Sequence, residues 1–305
     1  ELYLPEDFDL DALIAAVKDG NVLLYGPPGT GKTKLARILA RKLEGADPEI
    51  HTANSLWFRR DVIGGETIIN DSVQWKSGFL IGACNTAARR SRYHFIIIDE
   101  MNRADADKAF GDFFTIFSSL NPDDWEVPAS LIEEIKSYNG RIDEEARDFL
   151  RICGDRKSSK EVLKKIRIIA TINTADVNNL YLLGEALLRR FYLIKIPCVK
   201  SEKTSDEVNF LIRKNEYIIS EQTRNDFIDF VKELRSTFER YAQDSDYERK
   251  RLGEFCISTA AVERALKMIS ELGSVTRGRF PLLLKMSLGT IDENILKEIK
   301  LEENR

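Results

Sequence analysis

Unbroken apolar runs alternate with stretches of helical periodicity over the first two thirds of the chain. Val22-Leu23-Leu24-Tyr25 is a short apolar run, Phe95-Ile96-Ile97-Ile98 has the continuity of a strand covered on both faces, Arg167 to Ile172 reads as another buried-type strand, and Phe191 to Ile196 as a last strand ending at Pro197. Glu49 to Thr52 is a further β-like stretch. Between the strands, the spacing predicts helices over 32–43, 79–90, 104–120 and 184–190. Strands joined by helical crossovers imply a mostly parallel sheet with helices on both faces. Two segments break the rhythm. Gly64 to Gly78 reads as a hairpin turning at Asn70-Asp71-Ser72, and Asn121 to Lys165, polar with short amphipathic pieces, reads as an insertion outside the sheet. Past the charged, turn-forming stretch Lys200 to Ser205 only helical periodicity remains, over 227–241, 258–272 and 291–301. The expected organisation is an α/β domain over residues 1–200 and a smaller all-helical domain over 201–305.

Composition narrows the function classes. With 43% hydrophobic and 31% charged residues in 305, the chain matches an ordinary globular protein with room for a sizeable core. No apolar run reaches the ~18 residues needed to span a bilayer, and the acidic start is unlike a signal peptide, so no membrane role and a cytoplasmic location are expected. The sequence begins at Glu1 rather than Met, which leaves room for an upstream segment. Cys84, Cys153, Cys198 and Cys256 show neither zinc spacing nor a disulfide framework and read as buried small hydrophobes. His51 and His94 each sit beside a β-like run and read as structural. A net charge of −4 gives no global footprint for nucleic acid; that partner class rests only on local basic clusters at Arg59-Arg60, Arg89 to Arg92 and Arg249 to Arg251.

Chemistry enters with Gly26-Pro27-Pro28-Gly29-Thr30-Gly31-Lys32-Thr33, which fits G-x-x-x-x-G-K-[ST] between an expected strand and an expected helix. Glycines let the backbone turn its N–H groups around phosphates, and the helix start presents positive charge to them. Lys32 would reach the β- and γ-phosphates and Thr33 a Mg²⁺ ion. Asp99-Glu100 ends an apolar strand at the edge where open α/β sheets bind ligands. Asp99 suits Mg²⁺ and Glu100 suits polarising the attacking water. Asn173, at the tip of the strand 167–172, could hydrogen-bond that water and the γ-phosphate. Arg189-Arg190 offers guanidinium groups to a phosphate.

Together with Ile96 to Asp105, Ala170 to Asp176 and Ala186 to Phe191, this ordered set resembles the MoxR/McrB branch of the AAA+ ATPases over about residues 10 to 200. The resemblance implies a P-loop NTPase core with a five-stranded parallel sheet, a helical lid, and hexameric rings with nucleotide between neighbours. It makes Lys32 and Thr33 the Walker A residues, Asp99 and Glu100 the Walker B pair, Asn173 sensor 1, and Arg190 the arginine finger with Arg189 beside it. It likens 64–78 to the helix-2 insertion of the branch, and part of 121–165 to the insertion before sensor 1.

Two departures matter. Ser258-Thr259-Ala260 stands where many lids carry Ser-x-Arg, leaving Arg264, Arg277 and Arg279 as substitutes for sensor 2. Asn173-Thr174-Ala175-Asp176 superficially matches the guanine-reading Asn-Lys-x-Asp, so GTP stands as an alternative to ATP. The expected function is Mg²⁺-dependent ATP hydrolysis by a homo-oligomeric ring that remodels an unidentified protein partner, in the manner of a MoxR-like chaperone. The alternatives are a McrB-like DNA motor serving a separate nuclease, a small-molecule kinase, and an inert nucleotide-binding scaffold.

Overall fold

The computed structural model describes residues 2–4, 8–174, 184–290 and 292–301. Ala175 and Asp176, half of the possible guanine-reading motif, lie outside them. The described residues include seven strands: β1 (Val22–Gly26), β2 (Glu49–Thr52), β3 (Gly64–Ile69), β4 (Ser72–Ser77), β5 (His94–Asp99), β6 (Ile166–Asn173) and β7 (Tyr192–Lys195). Five of these form one sheet in the order β2-β5-β6-β1-β7, and the recorded registers are parallel throughout. β5 is buried from His94 to Ile98 and β6 from Ile166 to Ile172, as continuous apolar runs require when helices cover both faces. Ile98 lies opposite Ala170, and Thr52 opposite Asp99, so the C-terminal ends of β2, β5 and β6 share one edge.

The chain divides into two compact units. One holds Asp9–Tyr25 and Lys32–Lys195; the other holds Gly26–Gly31, the described residues before Asp9 and those from Ile196 onward. In the first, the sheet is flanked by helices that include Leu10–Asp19, Lys32–Glu44, Phe79–Ala88 and Ala106–Ile116. The segment 121–165 lies outside the sheet, but it is no loose insertion. It forms the helices Ala129–Ser137, Glu144–Cys153 and Arg156–Leu163, and it seals the core with Trp125 and Phe149, both essentially inaccessible. β3 and β4 form the expected hairpin, with Asn70 and Asp71 both left-handed at its turn, the geometry that matches strand twist. At its base Gly64 has φ +140° and a Cβ there would lie 2.5 Å from the Trp75 ring, so glycine is required.

The second unit is helical, as the loss of strand signals predicts. Its helices Thr204–Asn215, Glu221–Tyr241, Tyr247–Gly253, Thr259–Leu272, Phe280–Leu288 and Glu293–Leu301 enclose a core around Phe227, Phe230, Leu234 and Phe280. The cysteine expectation needs correcting here. Cys84 and Cys153 are buried free thiols, but Cys198 and Cys256 form a disulfide, with Cα atoms 6.0 Å apart. Fifty-eight residues separate the pair in sequence, so no short spacing announces it.

Candidate functional site

The site is built where the parallel strands end. β1 runs into the loop Gly26–Gly31, and the helix Lys32–Glu44 starts directly after it. Gly29 and Gly31 have φ of +76° and +88°, and the Thr30 hydroxyl donates to the Pro27 carbonyl at 2.9 Å, which closes the loop on itself. Within the helical unit, Gly29 approaches the start of the helix Thr259–Leu272. The Ala260 N–H donates to the Gly29 carbonyl at 3.2 Å, and a Cβ on Gly29 would lie 2.4 Å from Ser258 Oγ.

Lys32 is buried at 5% exposure. Burial lowers its ammonium pKa to about 8, although the negative charges of Asp99 and Glu100 pull the other way. A cation this poorly hydrated favours an anionic partner such as phosphate. Thr33, one residue on, donates its hydroxyl to Asp99 Oδ1 at 2.6 Å.

Asp99 and Glu100 are organised by β6. The Thr171 hydroxyl donates to Asp99 Oδ1 at 2.6 Å and accepts from the Glu100 N–H at 2.9 Å. Asn173 Nδ2 donates to Glu100 Oε1 at 3.1 Å, and Arg103 Nε pairs with Glu100 Oε2 at 2.6 Å. Glu100 itself has φ 54° and ψ 44°, a left-handed conformation that non-glycine residues hold only when their surroundings over-determine it. The structure thus brings Thr33, Asp99, Glu100 and Asn173 into one hydrogen-bonded chain. Sequence reasoning missed Thr171 and Arg103; the signal for Thr171 was a lone hydroxyl inside an otherwise apolar strand, Ile168 to Ile172.

Arg189 and Arg190 stand apart from that chain in their contacts. Arg190 lies over the Phe114 ring, donates from Nε to the Phe114 carbonyl at 3.1 Å and bonds the Ala186 carbonyl. Arg189 pairs with exposed Glu185. Two of the three possible sensor 2 residues are engaged elsewhere: Arg264 donates to the Ser287 carbonyl and Arg277 pairs with Glu233. The histidines are structural. His94 is buried between Glu44 and Glu49, and His51 stacks on Phe79 with its Nε2 2.6 Å from Glu49.

Residues 21–191, more than half the chain, match the family model for the AAA domain of the dynein-related subfamily. The chain belongs to the dynein-related AAA family. Its core is therefore a nucleotide-binding P-loop NTPase fold of the MoxR/McrB-like branch. Among curated relatives, the chain is 29% identical over 221 residues to the type IV methyl-directed restriction enzyme EcoKMcrB subunit of Escherichia coli (strain K12), covering 70% of this chain and 43% of that protein. It is also 29% identical over 194 residues to the uncharacterized protein YojN of Bacillus subtilis (strain 168), covering 63% and 52%. The chain thus spans about half the length of these relatives. A solved FIGL-1 AAA domain in complex with ADP aligns over all of this chain and 92% of its own, at 17% identity and a TM-score of 0.42, a likeness too distant to carry residue roles. Among the described residues of this AAA protein, no helix is long and apolar enough to cross a membrane.

Proposed function

We propose that this AAA protein is a Mg²⁺-dependent ATPase that works as a homo-oligomeric, hexameric ring and uses hydrolysis to remodel a macromolecule. The observation that carries the reading is the joint hold of Thr171 on Asp99 and on the Glu100 backbone, which fixes two carboxylates at the strand end beside Thr33. The phosphates would lie against the loop Gly26–Gly31 and accept from the N–H groups of its non-proline residues, with Pro27 and Pro28 shaping the turn and Lys32 offsetting the phosphate charge. The oxygens of Thr33 and Asp99 suit a hard cation that keeps most of its ligands as water and phosphate, and such an ion would neutralise charge developing on the phosphates. Glu100 would take the proton of the attacking water once its carboxylate exchanges Asn173 or Arg103 for that water. The Asn173 amide bonds Glu100, which supports a sensor at the phosphate end and favours ATP over a guanine-reading role.

Two substrates were expected, a protein complex and DNA. The relative named as a subunit of a methyl-directed restriction enzyme supports the second. Ring assembly is supported by Arg190, whose contacts are with Phe114 and Ala186 while its own chain's Glu100 is held by Asn173 and Arg103. Such a guanidinium can serve a neighbour's γ-phosphate, an effect worth about 10³ to 10⁵ in rate. Mixing Arg190→Ala with Lys32→Ala subunits tests this: each variant should be nearly inactive alone, and the mixture should regain ATP turnover. A mixture that exchanges subunits and forms rings yet stays inactive, while parent rings treated alike remain active, would remove Arg190 from the trans role.

A further inference from the structure

Four of the eight basic residues in the clusters of the sequence are paired with carboxylates. Arg59 pairs with Asp112 and Glu134, Arg89 with Asp148, Arg90 with Glu44, and Arg249 with Asp244. Arg60 is different. It lines a cavity of about 380 Å³ at the foot of the β3–β4 hairpin, together with Lys76 from β4, Trp57, Phe79, His51 and Asp61. This volume lies within the range of about 300–1,000 Å³ typical of small-molecule sites.

The wall is aromatic and held in place. Phe79 stacks on His51 at 4.1 Å between centroids and meets Trp57 at 5.5 Å. Burial alone would push the Glu49 carboxyl up, but hydrogen bonds from His51 and His94 outweigh it and hold it at about 2, so a charged Glu49 keeps His51 in place. Asp61 is fixed as well, with Oδ2 accepting the Phe58 N–H at 2.9 Å. Aromatic faces beside cations are what an unpaired base and its phosphate need, since every base has a π-face and each phosphate one negative charge. The Asp61 carboxylate can accept from a base amino group, but it would repel a chain of phosphates. That selects a nucleotide unit with a single phosphate over a triphosphate. Leu56 and Phe58, which flank Trp57 in sequence, are exposed at 78% and 52%, and added apolar surface next to Trp57 suits a strand better than one free nucleotide.

We propose that this cavity holds a nucleotide unit of single-stranded nucleic acid, its base against Trp57 and Phe79 and its phosphate between Arg60 and Lys76. The proposal names a substrate class for the motor proposed above. It also places that substrate close to the hydrolytic residues, because β2, which carries His51, leads to Ala53, whose N–H donates to the Asp99 carbonyl at 2.9 Å.

The test is fluorescence anisotropy of a fluorescein-labelled oligodeoxycytidylate, whose bases carry an amino group for Asp61, with the full chain and no ATP present. Binding is thereby scored separately from turnover, and either reading can fail alone. Intrinsic fluorescence supplies a local probe, since Trp75 and Trp125 are 1% and 0% exposed and quenching by an unlabelled strand would report Trp57. The parent should bind with quenching, and Arg60→Glu with Lys76→Glu should weaken binding at least tenfold. Trp57→Phe should keep binding and lose the quench, a result that does not depend on the charge-reversed protein folding. A duplex of equal length and AMP should compete at least tenfold less well than the strand, and polyglutamate should not compete. Absent binding, binding indifferent to both Arg60 and Lys76, a quench that survives Trp57→Phe, or equal competition by AMP, duplex or polyglutamate would each overturn the proposal.

Discussion

Arg235 and Glu207 pair at 2.7 Å in the helical unit with side chains 4% and 0% exposed, whereas Glu100 pairs with Arg103 at the sheet edge while keeping 26% of its side chain exposed. In the helical unit, Glu207 also accepts the Thr259 hydroxyl, and Arg235 donates to Thr204 Oγ1 and the Ile257 carbonyl. Those bonds tie three stretches of chain together, and water has no access to the carboxylate. At the sheet edge, the bonds to Glu100 come from Asn173 and Arg103, which solvent or a ligand can replace. Buried charge serves structure where every partner is sealed in, and chemistry where the partners can be exchanged.

Breaking the sealed pair should have the largest effect on stability. Arg235→Met leaves Glu207 buried without its counter-charge and should lower unfolding free energy by about 3–5 kcal/mol, read from urea denaturation. Adding Glu207→Leu to it should recover much of that loss, and a single variant as stable as the parent would show that the pair is not sealed. The open region should instead respond to pH through Lys32. Unliganded Lys32 loses its proton near pH 8, and bound phosphates favour the ammonium form, so the complex carries more protons than the free protein above that pH. ATP affinity should therefore be flat through this group below pH 8 and fall by up to about tenfold per pH unit above it, measured by titration calorimetry. Lys32→Met should abolish that slope. The smallest effect belongs to Arg189, whose pair with Glu185 is 77% and 85% exposed. Arg189→Ala should change stability by less than about 0.5 kcal/mol, and a large loss would mean that Arg189 has a partner beyond Glu185.

Much of the sheet was legible because its central strands are covered: the runs at Phe95–Ile98 and 168–172 have no polar residue except Thr171. The loop Gly26–Gly31 and the carboxylates Asp99 and Glu100 were legible because phosphate chemistry restricts residue type and spacing together. What stayed hidden depends on contacts distant in sequence. The left-handed backbone of Glu100 is imposed by β6, the Cys198–Cys256 bond spans 58 residues, and Trp125 and Phe149 are buried in a segment whose composition is polar. Local signals also misled where a first turn is polar. The helix Glu221–Tyr241 begins six residues before Phe227, started by the Ser220 hydroxyl accepting the Thr223 N–H at 3.2 Å, and the helix Leu10–Asp19 buries only Leu13 and Val17.

The central claim is that the exchangeable carboxylate of Glu100 activates water, and Glu100→Gln tests it most directly. The amide keeps the shape and can still bond Asn173, but it polarises water poorly, so steady-state phosphate release should fall by about 10² to 10⁴. Binding of a fluorescent ATP analogue, measured on the same preparation, should stay within a few-fold of the parent. Turnover at the parental rate with binding intact would contradict the account.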